Sequence, residues 1–199
     1  MASKPYHHGD LRVALIQAAL GLIAEVGPQA FTLREVARRA DVSHNAPYRH
    51  FRDKDELLAV LAAEGFERLT TSMNKTAAAG VDALDRFRLS GLGYVEFALE
   101  WPQHFQVMFD SPDCFSKYPE HEAAGKLAFK TLLGFIVECQ AAHSLPSGDP
   151  QPIALLAWSI VHGVAKLAGT GRLPFHREQT LAFTNYAVRC MIQGVHCHT

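Results

Sequence analysis

Apolar residues recur at a spacing near 3.6 along almost the whole chain, with no strand-like alternation between hairpin turns. Leu11, Leu15, Ala18, Leu22 and Val26 form one helical stripe that stops at Gly27-Pro28. A second helix opens at Thr32, a good N-cap. Glu35 three residues on can complete a capping box, and Phe31 and Val36 can close a hydrophobic staple. Asp41-Val42-Ser43 breaks that helix, and Ser43 can cap a third, short one. A fourth begins at the D-x-x-E box Asp53 to Glu56 and reaches toward Ala79. Further stripes over 84–98, 101–110, 129–140, 153–168 and 183–194 carry the pattern to the end, while 111–120 and 144–152 read as loops. The pattern predicts an all-α chain of about nine helices.

The composition fits a globular protein: 199 residues, 48% hydrophobic and 20% charged. That excludes disorder, collagen and a disulfide miniprotein. The longest uncharged stretch, 150–165, holds Pro150, Gln151, Pro152, Ser159 and His162, so it reads as a buried helix rather than a membrane span. Met1 to Asp10 has one Lys and no apolar run, which points to the cytoplasm rather than to secretion or a membrane. Cys114, Cys139, Cys190 and Cys197 form no C-x-x-C pair and are expected as free thiols. The formal net charge of −1 hides an asymmetry, because residues 1–52 carry seven bases and four acids. A mildly basic head on an acidic body is compatible with nucleic acid as the head's partner.

The chemistry concentrates in 32–51, TLREVARRADVSHNAPYRHF. A capped short helix, a three-residue break and a second short helix is the helix-turn-helix pattern. The second helix must offer groups able to meet base edges and phosphates in a major groove. His44, Asn45, Tyr48, Arg49 and His50 supply them, while Val42 and Phe51 are placed to pack inward. The helix start at Thr32 offers a phosphate clamp, with Arg34 on the same helix. Lys54 and Arg52 could add ionic contacts to the same backbone.

Residues 8–69 resemble the DNA-binding domain of the TetR family of transcriptional regulators. The features are a first helix ending in Gly, T-x-x-x-V-A from Thr32, the D-V-S turn, Y-x-H-F from Tyr48 and D-K-x-x-L from Asp53. The resemblance implies phosphate contacts at Thr32, Tyr48, His50 and Lys54, and base contacts from Ser43 to Pro47. One departure is Asn45-Ala46-Pro47, where many members carry a Gly-Thr-Leu-like run. Pro47 has to sit near the start of the recognition helix, where its ring and Ala46 could touch a thymine methyl. The expected domains are 1–54, DNA-binding, and 55–199, effector-binding and dimerising.

The body is less specific. AWSIVHGVAKLAGTGRL, from Ala157, resembles the W-x-x-x-H-G segment of one branch of the family. Phe97, Trp101, Phe105, Met108, Phe109, Phe129 and Trp158 read either as core or as the lining of an apolar effector site, with His162 as a polar contact. The stretch from Ile153 to Ala165 is apolar nearly all round, and a second subunit is expected to cover the excess face at Val161 and Ala165. No metal site is expected. The tail, with Cys190, His196, Cys197 and His198, has donors that suit a transition metal but a spacing that fits no standard site. Nucleophile-elbow and P-loop motifs are absent, and the His121-Glu122 pair lacks a second His at 125, so neither an enzyme nor a cofactor is expected.

The reading is a homodimeric, ligand-responsive repressor of a pseudo-palindromic double-stranded operator, released by a small apolar or aromatic effector. The alternatives are an activator, a ligand-independent DNA binder, or a helical ligand-binding protein or enzyme without DNA function.

Overall fold

The computed structural model describes residues 8–111 and 113–197. Nine α-helices lie among them: α1 (His8–Val26), α2 (Leu33–Arg39), α3 (Lys54–Ala77), α4 (Ala83–Glu100), α5 (Pro102–Asp110), α6 (Asp113–Lys117), α7 (Ala123–Ala141), α8 (Gln151–Gly169) and α9 (Arg177–Cys197). Two single 3-10 turns, Pro47–Arg49 and Pro119–His121, complete the described elements, and no strand occurs among them. The expected count of nine hides two exchanges. The expected third helix is only the turn Pro47–Arg49, and the expected loop 111–120 contains α6 and the second turn.

Proline chemistry accounts for the first exchange. Pro47 has no N–H to give to the carbonyl four residues back, so an α-helix from Ser43 would start without that bond. The chain closes instead through tighter bonds, Ala46 N–H to Ser43 O at 2.9 Å, Arg49 N–H to Ala46 O at 3.2 Å and His50 N–H to Pro47 O at 2.9 Å.

The chain divides into two compact units. Of the described residues, those within 1–65 and 103–123 form one, and those within 66–102 and 124–199 the other. The sequence-based division at residue 54 therefore differs from the packing, in which α5, α6 and the start of α3 join the head.

In the first unit, Leu15, Ala19 and Ile23 of α1, Val36 of α2, Phe51, and Leu57, Leu58 and Leu61 of α3 are the buried centre. Gly27, at φ +81°, ends α1 in the left-handed region and gives its N–H to Ile23 O at 2.9 Å. Helix α5 meets α3 closely: a Cβ at Gly65 would stand 2.5 Å from Met108 Sδ. Phe105 and Met108 are accordingly buried there, with the Phe109 ring tilted against Phe105, centroids 5.0 Å apart.

In the second unit, α4 packs on α8 and α9, and α8 on α9. Phe87, Val95 and Phe97 of α4 and Ile136 of α7 are buried. Helix α8 is long and apolar enough, by length and composition, to cross a membrane. Here its Ala154, Ala157, Val161, Val164 and Ala165 are buried, and it packs on α4 and α9. Val161 and Ala165 thus lie inside the unit rather than on a face left for a partner. The uncovered apolar positions are Leu155 and Leu156, each 45% exposed, and Leu167, 42% exposed.

The α3–α4 crossing depends on Gly93. A Cβ there would meet Thr76 Oγ1 at 2.3 Å and the Ser72 carbonyl at 2.7 Å, and Ser72 Oγ donates to Gly93 O at 2.8 Å. Backbone cannot yield as a side-chain tip can, so Gly93→Ala should lower unfolding free energy by about 1–3 kcal/mol. Gly134→Ala, in open space on α7, should instead gain up to about 1 kcal/mol from helix propensity. Urea denaturation of both variants checks the contrast.

Candidate nucleic-acid interface

The interface is built from α2 and the stretch that follows it. Thr32 caps α2: its hydroxyl accepts the Glu35 N–H at 3.3 Å, and Glu35 Oε2 accepts the Thr32 N–H at 2.7 Å. Hydrogen bonds from the Thr32 hydroxyl and then its N–H hold the Glu35 carboxyl below the ordinary carboxylate range. Phe31 and Val36, on either side of the cap, are buried as a staple requires. At the other end Asp41 takes φ +53°, unusual for a residue with a Cβ. Its N–H meets Arg38 O at 3.2 Å, and Val42 N–H meets Ala37 O at 3.0 Å. This is the paired-bond helix stop that usually carries Gly, and it reverses the chain within three residues.

From that stop the chain presents Ser43, His44, Asn45, Tyr48 and Arg49 to solvent, with His50 half-buried. Tyr48 is 52% exposed, high for so large an aromatic ring. Thr32 and Arg34 are exposed on α2. Ala46, 8% exposed, and Pro47 are buried, and the turn packs on α2. The expectation that they touch thymine methyls is therefore corrected: the i+3 turns point them inward and send Asn45 and Tyr48 outward.

The expected ionic contacts are also altered. Lys54 Nζ donates to Gln29 O at 2.8 Å and sits 5.1 Å above the Phe31 ring, so it ties α3 to the start of α2. Arg52 pairs with Glu56 at 3.0 Å and Glu120 at 2.6 Å. Arg39, which the sequence did not single out, forms a two-pronged pair with Glu25, both bonds 2.7 Å, and lies across Gly21. Those two residues sit on different helices, 14 positions apart, so no spacing rule could pair them. Arg34, Arg38 and Arg49 are also exposed around the turn.

The residues expected to hold an effector fall in both units. Phe105, Met108 and Phe109 belong to the first, and Phe97, Trp101, Phe129, Trp158 and His162 to the second. Trp101 is not on α5 as expected. It is the C-cap of α4, covered by the Arg68 guanidinium 4.0 Å from the ring centroid. Phe97 is 1% exposed.

Trp158 and His162 do share a helix face, and they meet Tyr94 of α4. Trp158 Nε1–H donates to the Tyr94 hydroxyl at 3.2 Å, and that hydroxyl lies 2.9 Å from His162 Nδ1. Where the hydroxyl gives its one proton to Nδ1, the imidazole carries its own proton on Nε2. Burial pushes the Tyr94 pKa far above the usual phenol value, which keeps this donor protonated. The Phe129 ring lies tilted against Trp158, centroids 5.9 Å apart. Among the described residues no group of three metal-ligating side chains occurs. The side chains of His196, Cys197 and His198 lie outside the description.

Comparison with known proteins decides the family. Residues 15–61 match the model described as bacterial regulatory proteins, tetR family, and residues 87–191, more than half of the chain, match a tetracyclin repressor-like C-terminal domain. The chain belongs to the TetR family. The matched C-terminal description names no W-x-x-x-H-G branch, so that likeness remains one of a single segment. An HTH-type transcriptional repressor of Mycobacterium tuberculosis is 36% identical over 84 residues, 41% of this chain and 45% of that protein. The match thus spans under half of that relative's length. A solved protein of unknown function from Rhodococcus sp. RHA1 is 32% identical and has a TM-score of 0.81, covering 97% of this chain and 99% of that one. The regulator FadR from Bacillus subtilis, solved with stearoyl-CoA, shares the fold at 15% identity and TM-score 0.75, covering 92% of this chain and 99% of that one.

The capping box sets the frame of the turn. Thr32→Ala should cost about 1 kcal/mol of stability, and Thr32→Ser much less. Because the folded Glu35 carboxyl titrates low, its contribution is present above the ordinary carboxylate range and is lost as pH falls through the folded value. Denaturation of the wild type and both variants at pH 7 and in acid should show the Thr32→Ala gap narrowing at low pH.

Proposed function

We propose that the protein is a cytoplasmic homodimeric repressor that leaves its operator when a small apolar or aromatic molecule binds its C-terminal part. The observation that carries this reading is the exposed row Thr32, Arg34, Ser43, His44, Asn45, Tyr48 and Arg49, built on a capped helix and a three-residue turn. Polar side chains of this kind, set on a rigid helix-turn frame, suit base edges and phosphates. In this reading Thr32, Arg34, Tyr48, Arg49 and His50 hold the backbone, while Ser43, His44 and Asn45 meet bases. Lys54 acts through the frame. The repressor sign is supported by the name of the Mycobacterium tuberculosis relative.

A dimer is supported by the uncovered apolar residues of α8 and α9. Leu155, Leu156 and Leu167 are accompanied by Tyr186, 65% exposed, and a Cβ at Gly163 would meet nothing within 4 Å. A second copy related by a two-fold axis would cover them and present two turns to two half-sites. The effector reading is supported by the Tyr94–Trp158–His162 cluster with Phe129, which sets an imidazole among aromatic rings. The crystallised FadR holds an acyl-CoA on the same fold, an example of an apolar ligand in such a bundle.

Selection of bound sequences from a random duplex pool tests the reading. It should return a pseudo-palindrome. On that duplex His44→Ala and Asn45→Ala should alter base preference by about 1–3 kcal/mol per lost contact. Arg49→Gln should weaken all duplexes and lower the salt slope by about 0.9. No enriched sequence, with a folded protein, would refute the DNA reading.

Sedimentation tests the dimer separately. Leu156→Asp should leave a folded monomer at micromolar concentration, whereas Val161→Asp, inside the unit, should destabilise the fold itself. A dimer that survives Leu156→Asp and Leu155→Asp together would place the subunit contact elsewhere.

A further inference from the structure

Residues 113–121 belong to the same compact unit as the helix-turn frame, and their contacts converge on the start of α3. Lys117 Nζ lies 2.5 Å from Asp53 Oδ2 and 3.0 Å from Asp55 Oδ2. Glu120 Oε1 lies 2.6 Å from Arg52 Nη2, whose other partner is Glu56. Between these pairs stands Tyr118, 5% exposed, with the Arg52 guanidinium 4.5 Å and the Lys117 ammonium 5.7 Å from its ring centroid. The Tyr118 hydroxyl helps to hold the Asp53 carboxyl down, and Asp53 accepts the Glu56 N–H at 3.0 Å as a cap on α3. Burial pushes the Asp53 carboxyl up, but Lys117, the Glu56 N–H and Tyr118 outweigh it and hold the group below the usual range.

Its charge argues against a direct DNA contact. Two cations, Arg52 and Lys117, stand among four carboxylates, Asp53, Asp55, Glu56 and Glu120. A net-negative cluster repels phosphates, and both cations are engaged within it.

Its position argues for another role. The stretch Ser43–His50 holds only one 3-10 turn, so its pose depends on the packing of Ala46 and Pro47 against α2 and on its two ends. One end is the helix stop at Asp41. The other is Phe51, 1% exposed, joined directly to Arg52 and Asp53. We propose that Lys117, Tyr118 and Glu120 are positioning residues for DNA recognition, which fix the start of α3 and through it the exposed face from Ser43 to His50. This rests on the DNA-binding reading above. It assigns a recognition role to residues more than sixty positions downstream that touch no DNA.

The test measures the affinity of the full-length protein for the selected duplex and for a scrambled duplex of equal length, at several salt concentrations. Tyr118→Phe removes one hydroxyl and no charge, and Glu120→Gln removes one negative charge. Both should lower the ratio of selected to scrambled affinity by about two- to fivefold, the scale of one exposed ion pair or hydrogen bond. The salt slope should stay unchanged, because no phosphate contact is lost. Arg52→Gln combined with Glu120→Gln should cost little more than either alone, as expected for partners in one contact. Circular dichroism and sedimentation confirm that each variant keeps its fold and assembly.

Three results would overturn the proposal. Glu120→Gln could tighten both duplexes equally, which is a charge effect alone. Tyr118→Phe could leave the ratio unchanged. Lys117→Gln could lower the salt slope by about 0.9, making Lys117 a phosphate contact. A wild-type protein that prefers no duplex would instead defeat the DNA-binding reading itself.

Discussion

The missing N–H of Pro47 is the constraint on which the rest of the head depends. It prevents a regular α-helix from starting at Ser43, so a few short-range turn bonds replace a helical ladder and the stretch leans on its surroundings. Everything nearby compensates. The capping box at Thr32 fixes the start of α2, the left-handed Asp41 fixes its end, and Phe51 anchors the exit in the unit's core. Burial of Ala46 and Pro47 then turns Asn45 and Tyr48 outward. In the proposed DNA-binding reading, a short, irregular element serves recognition because the frame around it is rigid.

Charge in this unit is spent mostly on holding the frame. Arg39 pairs with Glu25, Lys54 with the Gln29 carbonyl, and Arg52 with Glu56 and Glu120. Exposed ion pairs contribute little stability singly. Together they restrict how α1, α2, α3 and the 113–121 segment move against one another inside the unit. The mildly basic balance of the first 52 residues is therefore not a count of DNA contacts. Arg34, Arg38 and Arg49 remain exposed, and polar neutral groups supply much of the outward face.

Much of this was legible in the sequence because the signals were local. Helical stripes, the Thr32–Glu35 box, the Gly27 stop and the Asp53 cap each need only a few consecutive residues, and each took the expected form. The extent of the recognition helix was misjudged, since tolerance of proline near a helix start was weighed above the bond it removes. The loop at 111–120 was misjudged because Pro112 and Pro119 signal breaks, while the partners that order Lys117, Tyr118 and Glu120 lie more than sixty residues upstream. On α8, an apolar run with no polar face gives no phase, so the sequence could not tell that Val161 points inward and Leu156 outward. Likewise Trp158 and His162 were paired correctly by their spacing of four, but Tyr94, which joins them, lies on another helix.

The central claim is that DNA meets the outward face built by α2 and the turn after it. Hydrogen–deuterium exchange of the full-length protein, with and without a saturating duplex, tests it most directly, because it reports every segment at once. The account predicts slowed exchange in peptides spanning 32–50, with 113–121 slowed less or not at all. Slowed exchange centred on any other exposed surface, with 32–50 unaffected, would contradict it.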